Sequence, residues 1–282
     1  MSSKVNVLRL EFNWLLTDEV SSILAQLKEI IQSCLSRFKM PLGMSATDTS
    51  KGSNLPFNNS ELVKGWINVA GEHVMKAELK FKIPKFGSAG IGTFIFEQCP
   101  WKLQQLLETH NHLQMAFDEI LERECCGKFT SGEQVEELMN TLMGSLNRAK
   151  TCMLVPEKLV LAELFNSSQQ RVFNPSIPEE LIIFFNVNCD KVVLSVYVLN
   201  SLTSAPSQKV LIQDQSTIGH QFETHNKWYE VINKAEVICS VPWLKDLIVW
   251  INTALQLCQQ LKDKIAIFHT LLPDLVLKED SD

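Results

Sequence analysis

The sequence predicts an α+β protein, with helices and strands segregated along the chain. Three observations carry this. Long stretches near both ends and in the middle repeat their apolar residues at steps of three and four. Two intervening stretches alternate their apolar residues, or cluster β-branched and aromatic ones. The runs follow the order helix, strands, two helices, strands, helix, which is the pattern of α+β and not of alternating α/β. The expected architecture is an elongated antiparallel bundle of about four long helices plus a separate antiparallel β domain, both discontinuous in sequence. Residues 1–39, 100–170 and 241–282 would form the bundle, and residues 60–99 and 171–240 the β domain. The Ser-, Thr-, Gly- and Asn-rich residues 40–59 would be a mobile loop.

The first helix is expected over about Val7 to Phe38, where Leu8, Phe12, Leu15, Val20, Leu24, Leu27, Ile31 and Leu35 form one stripe before Pro41 and Gly43. In "HVMKAELKFKIP", Met75, Ala77, Leu79, Phe81 and Ile83 alternate with Lys76, Glu78, Lys80 and Lys82, the period of a half-buried strand. Neighbouring "LVKGWINVAG" and "GTFIFEQ" are weaker strand candidates. The second helix should run from about Trp101 to Glu124, with Pro100 ahead of it and Gly127 just past it. The third should open at Thr130, because "TSGE" has capping-box spacing to Glu133, and should stop before Pro156.

"ELIIFFNV" and "KVVLSVYVLN" flank Asn188-Cys189-Asp190 and predict a hairpin. "KWYEVINKAEVICSV" supplies a further strand. The last helix starts at Pro242 and should close before Pro273. In it Leu244, Ile251, Cys258 and Ile265 share one heptad position, and Leu247, Ala254, Leu261 and Phe268 the other. That seam is ~37 Å long at 1.5 Å per residue. Leu247, Ile248, Val249 and Trp250 make the first turns apolar all round, which calls for cover on both sides. The β domain or a partner protein, with Val249 and Trp250 as its anchor, would provide it.

Composition narrows function. Hydrophobic residues make up 45 % of the chain, charged residues 21 %, and the net charge is −6. An acidic chain does not suit general nucleic-acid binding, which needs clustered Lys and Arg. The opening residues contain no apolar h-region, so no signal peptide is expected, and no run of apolar residues is long enough to span a membrane. The eight cysteines lie within periodic apolar segments and are expected to be reduced thiols.

Motifs for chemistry are missing. "FGSAGIG", Phe86 to Gly92, lacks the Gly-Lys-Ser/Thr ending of a phosphate loop and sits between strands. His110 and His112 are two apart on a helix and do not face one another. Cys125-Cys126 lacks the CxxC spacing of a metal or redox pair. No nucleophile elbow, His-Glu-x-x-His or dinucleotide fingerprint occurs. Neither an enzyme activity nor a cofactor or metal is therefore expected. Lys76, Lys80, Lys82 and Lys85 form a basic strand face, either solvated or a dock for an acidic protein or an anionic membrane surface.

Three blocks carry a resemblance: "LEFNWLLTDEV" near the start, "WKLQQ" at the second helix, and "PWLKDLIVWINTALQLCQQLKDKIAIF" at the end. In order and spacing the chain resembles the Rogdi family over nearly its whole length, and "LQLCQQLKDKI" is the most specific part. The resemblance implies a non-catalytic adaptor, the counterpart of the small subunit of the RAVE complex. Such a subunit works with a large WD-repeat scaffold of the DmX-like or rabconnectin type. Together they promote assembly of the cytosolic sector of the vacuolar proton-ATPase onto its membrane sector. It further implies a cytoplasmic protein, peripheral on endosomal or synaptic vesicle membranes through partners, with an association to the nuclear envelope. The family is described as having a leucine zipper, but here Ile251, Cys258 and Ile265 replace leucine and Ala254 interrupts the second row. That favours an internal bundle seam over a self-pairing zipper. A homodimer joined through the last helix is the alternative.

Overall fold

The computed structural model describes residues 2–38, 54–58, 60–82, 91–97, 99–155, 160–203 and 218–279. Most of the loop expected at 40–59, residues 86–90 of the Gly-rich segment, Lys85, Pro156 and the last three residues lie outside these. The described chain is mixed helix and antiparallel sheet, an α+β protein. It divides into two compact units. One comprises Met1–Phe38, Glu108–Cys152 and Asp246–Asp282, the other Lys39–Leu107 and Met153–Lys245.

The helical unit begins with α1 (Ser2–Trp14), a π-turn (Leu15–Glu19) and α2 (Val20–Ser36). The single first helix expected from periodicity is thus two α-helices joined by a π-turn. There the Thr17 hydroxyl donates back to the Asn13 carbonyl (2.9 Å), competing for the acceptors of the regular ladder. The unit also takes in most of α3 (Gln104–Cys125), α4 (Gly132–Leu154) and α6 (Pro242–Glu279).

Side-chain pairs set the order of these helices. Lys28 reaches Glu124 (2.6 Å) and Phe38 stacks on His110 (4.9 Å between centroids), so α2 and α3 run antiparallel. The Thr109 hydroxyl donates to the Ala149 carbonyl (3.3 Å), which sets α4 antiparallel to α3. Lys262 donates to Asn140 (2.6 Å) and His269 lies 4.0 Å from Glu136, so α6 runs back along α4. Phe12 against Phe268 (5.3 Å) and Arg37 against Asp246 (3.7 Å) close the ring between α6 and the α1–α2 leg. Each leg turns its apolar stripe inward, from Leu27 and Ile31 through Leu113 and Ile120 to Leu142 and Leu146.

The first helix begins at Ser2 and not near Val7, and three further helix boundaries differ from expectation. Trp101 does not start a helix. With Lys102 it forms strand β5, because its ring is buried beside Phe185 (5.2 Å) and Phe173 (6.1 Å), and packing overrides propensity. Thr130 and Glu133 do not form a capping box: α4 starts at Gly132, the Thr130 amide donates to Gln134 (3.1 Å), and the Glu133 carboxylate accepts from Ser131. The last helix does not close before Pro273 but continues to Glu279. A proline removes one ladder bond and costs roughly 3 kcal/mol, which a long packed helix can absorb.

The second unit holds two sheets. The first contains β1 (Leu55–Pro56), β2 (Val63–Ala70), β3 (His73–Lys82) and β4 (Ile91–Phe96) in that order, with β5 pairing β3. Leu55 and Pro56 pair with Ile67 and Trp66, so this part of the expected loop is an edge strand. The second sheet has the order β6 (Leu181–Asn188), β7 (Lys191–Leu202), β9 (Lys227–Ser240), β8 (Gln221–Thr224). The β6–β7 hairpin turns at Cys189-Asp190, with Cys189 at φ 58°. The short β8, which periodicity did not reveal, joins β9 through His225 and Asn226, both at positive φ as a type I′ turn requires.

Asn58 ties the two sheets together: its amide donates to the Ile238 carbonyl (2.8 Å) and its side-chain oxygen accepts from the Ile238 amide (2.8 Å). Phe96, Trp101, Phe173 and Phe185 form a shared aromatic cluster. The short helix α5 (Leu161–Asn166) covers the second sheet through Phe165, 5.0 Å from Tyr229.

Candidate interaction surfaces

Seven of the eight heptad seam positions of α6 are internal. Leu244, Leu247, Ile251, Ala254, Cys258, Leu261 and Ile265 are each 0 % exposed within a single chain, and Phe268 is half-buried against Phe12. Burial pushes the Cys258 thiol up to about 12, the behaviour of a small core residue and not of a reactive one. Opposite the seam, Gln256, Gln259, Gln260 and Asp263 face solvent.

The first turns of α6 are not covered all round. Val249 is 53 % exposed, while Trp250 is half-buried beneath the Arg37 guanidinium, 5.2 Å from its ring centroid. Arg37 also faces Asp246, one turn back from Trp250 on the same side of the helix. The guanidinium, itself beside Asp246, thus lies over the tryptophan ring from within the same unit. Lys245 and Asp246, both exposed, share this outer side with Val249.

The lysines of β3 lie on the outer face of the first sheet. Lys80 stands directly opposite Lys64 of β2, and Glu78 opposite Trp66. The Glu78 carboxylate accepts from the Trp66 indole (3.1 Å) and pairs with Lys80 (2.8 Å), and the Lys80 bond above all holds it below the usual carboxylate range. Lys82 follows Lys80 on the same face, and Lys76 lies toward the other end of the strand, paired with Asn68. A groove of about 420 Å³ is lined by Glu61, Lys64, Lys80, Phe81 and Lys82. The partner-surface residues expected from sequence therefore fall in different units: Val249 and Trp250 in the helical one, Lys76, Lys80 and Lys82 in the other.

Lys64 was not singled out by periodicity. Its place depends on a β-bulge at Asn68/Val69. Counting back from the Ala70–His73 pair would set Lys64 opposite Leu79, and the bulge shifts it by one residue to Lys80.

A second groove, about 510 Å³, is lined by Glu119, Arg123, Cys126, Lys128, Gln134 and Glu137, among others. There Arg123 is taken by the Gly127 carbonyl (3.1 Å) and the Phe129 ring (3.8 Å). Among the described residues no three His, Cys, Asp or Glu side chains group as metal ligands, and no helix is long and apolar enough to cross a membrane.

Residues 11–232 match the family model described as "Rogdi leucine zipper containing protein". The chain belongs to the Rogdi family. The match ends inside β9, ahead of α6. Pairwise similarity extends further. A Danio rerio "Protein rogdi homolog" is 34 % identical over 269 residues, covering 94 % of both chains. The Homo sapiens homolog is 33 % identical over 270 residues, covering 94 % of this chain and 93 % of its own. The Drosophila melanogaster "Protein rogdi" is 30 % identical over 261 residues, covering 93 % and 88 %. In this Rogdi family member the heptad positions of α6 from Leu244 to Ile265 are buried within a single chain.

Proposed function

We propose that the chain is a non-catalytic interaction subunit of a RAVE-like complex. It would bind a large WD-repeat scaffold of the DmX-like or rabconnectin type and regulate assembly and activity of the vacuolar proton-ATPase through the cytosolic sector. Its place would be the cytoplasm, peripherally on endosomal or vesicle membranes through those partners, and the nuclear envelope. Family membership supports this role. The observation that carries it over self-association through the last helix is the closed seam, whose seven core positions have no exposed surface to offer a second copy.

Affinity capture of the tagged full chain from cell lysate, quantified against a control bait, tests the proposal. Co-recovery of a giant WD-repeat protein with proton-ATPase subunits is the expected result. Recovery of the chain alone, at matched expression and low salt, would overturn it. Light scattering of the purified chain tests the competing reading. A dimer that Leu261→Asp converts into a folded monomer would restore pairing through α6.

A further inference from the structure

We infer that the outer face of the first sheet, around Lys64, Lys80 and Lys82, docks an extended acidic segment of a partner protein. Lys64 and Lys80 are direct cross-strand partners, and like charges so placed cost stability unless an anion covers them. Lys82 lies two residues beyond Lys80, ~6.6 Å along the same face at the rise of a strand. Glu78 engages Lys80 and Trp66, while Lys64 and Lys82 have no ion pair among the described residues. With Lys76 the face presents four lysines against Glu61, Glu78 and Glu97, the last next to Lys76 and away from Lys64 and Lys82, a local positive excess on a chain of net charge −6. Such a contrast steers an acidic partner to one place.

Shape and composition choose the class of partner. Three of the lysines line a groove of about 420 Å³, into which a protruding segment fits better than a flat bilayer does. None of the exposed large apolar side chains among the described residues lies on β2, β3 or β4, so among the described residues this face offers no wedge for a membrane. Neither β2 nor β3 contains an arginine, and the Trp66 indole is engaged by Glu78, which leaves little with which to grip a nucleic acid. An extended peptide with carboxylates at alternate residues repeats its charge every ~6.6 Å, the Lys80–Lys82 spacing. The methylene stems of those carboxylates would lie against Trp66 and Ile95, both half-buried in the same row as Glu78, and the side chains between them would point away from the sheet.

The inference goes beyond the adaptor reading and does not rest on it, since the assay contains neither scaffold nor ATPase. A fluorescein-labelled peptide of four Glu-Thr repeats is titrated with the full chain, followed by anisotropy. The expected result is saturable binding that weakens about tenfold or more in Lys64→Glu/Lys82→Glu and on raising salt from about 50 to about 300 mM. Lys245→Glu, an exposed lysine on α6, should leave it unchanged. Should the reversal lower Tm, Lys64→Gln/Lys82→Gln carries the comparison. No binding at low salt, or equal affinity in a folded double variant, would overturn the inference. So would Lys64- and Lys82-dependent binding of phosphatidylserine vesicles or a single-stranded oligonucleotide in place of the peptide.

Discussion

Along α6, seven heptad positions are sealed by side chains alone, while along β6 the seal is made by two amides. A helix satisfies its own backbone, so closing the helical unit is a matter of filling volume along the seam. β6 is an edge strand, and its outward backbone groups need partners from elsewhere. Gln105 of α3 supplies one pair: Val187 donates to its Oε1 (2.6 Å) and its Nε2 donates to the Val187 carbonyl (2.9 Å). Gln170 repeats the arrangement at Ile183, four residues back, donating at 2.6 Å and accepting at 3.1 Å. Each amide imitates one residue of a neighbouring strand. The helical unit is thus sensitive to size and charge in its core, and the sheet unit to single polar side chains.

The largest expected effect is at the seam. Leu261→Asp places an unpaired carboxylate at a fully buried position, and the cost of several kcal/mol approaches the whole stability of a domain, roughly 5–15 kcal/mol. Leu261→Ala removes only volume and should cost about 2–5 kcal/mol. Urea denaturation followed by far-UV circular dichroism separates the two. If Leu261→Asp leaves the midpoint unchanged, the seam is not a core.

Next comes Gly65, at φ 154° in β2, where a Cβ would overlap the Glu78 carbonyl oxygen of β3. Backbone must move to admit any side chain, so Gly65→Ala should cost about 3 kcal/mol. This change belongs to the sheet unit yet acts by volume, so it blurs the contrast unless the glutamines behave differently.

Gln105→Ala supplies that test. It leaves the buried Val187 amide and carbonyl without partners, at about 2–3 kcal/mol, and bares part of an edge. Loss of stability together with new aggregation, measured by light scattering on warming, is the expected pair of outcomes. A stable, monomeric Gln105→Ala would mean that water serves the edge as well as the amide does. Gln170→Ala, at a less buried site, should cost about 1 kcal/mol.

The contrast also explains what was legible in the sequence. Heptads exposed the seam because a helix writes its buried face at a fixed spacing: the positions from Leu244 to Ile265 are fully buried, and Phe268 is half-buried. The glutamines are local to neither β6 nor each other: Gln105 precedes Val187 by 82 residues. Periodicity has no way to register such a pair. Trp101 was misplaced for the same reason, since its strand is set by an aromatic cluster assembled from distant segments. Lys64 was hidden by a single bulge. Lys76, Lys80 and Lys82 were legible as one face, but their groove and their opposing lysine were not.

Thiol chemistry sharpens the comparison further. Burial pushes Cys34 and Cys258 in the helical unit up to about 12, and Cys239 in the second sheet up to about 11. Each group holds its proton more tightly folded than unfolded, so its contribution is intact below pH ~9 and is lost as pH rises through 9 toward 12. Iodoacetamide at pH ~8.5 should label Cys99, Cys125 and Cys126, which are exposed, and spare these three until the chain unfolds. Mass spectrometry reads the pattern, and early labelling of Cys258 would mean that the seam opens.

The smallest effect is expected at the Lys28–Glu124 pair between α2 and α3, although it is the pair that shows these helices side by side at that end. Its 2.6 Å contact is partly exposed, with side chains 33 % and 42 % accessible. Water and salt screen such a pair, and holding two long side chains costs entropy, so Glu124→Gln should change stability by less than about 1 kcal/mol. Raising salt to about 1 M should abolish even that difference, as the screening length shrinks to about 3 Å. The helices meet because Leu27 and Ile31 of α2, like Leu113 and Ile120 of α3, are fully buried. A double-mutant cycle over Lys28 and Glu124 with a coupling above about 2 kcal/mol would show instead that charge helps hold the helical unit shut, and the division between volume and polar closure would fall.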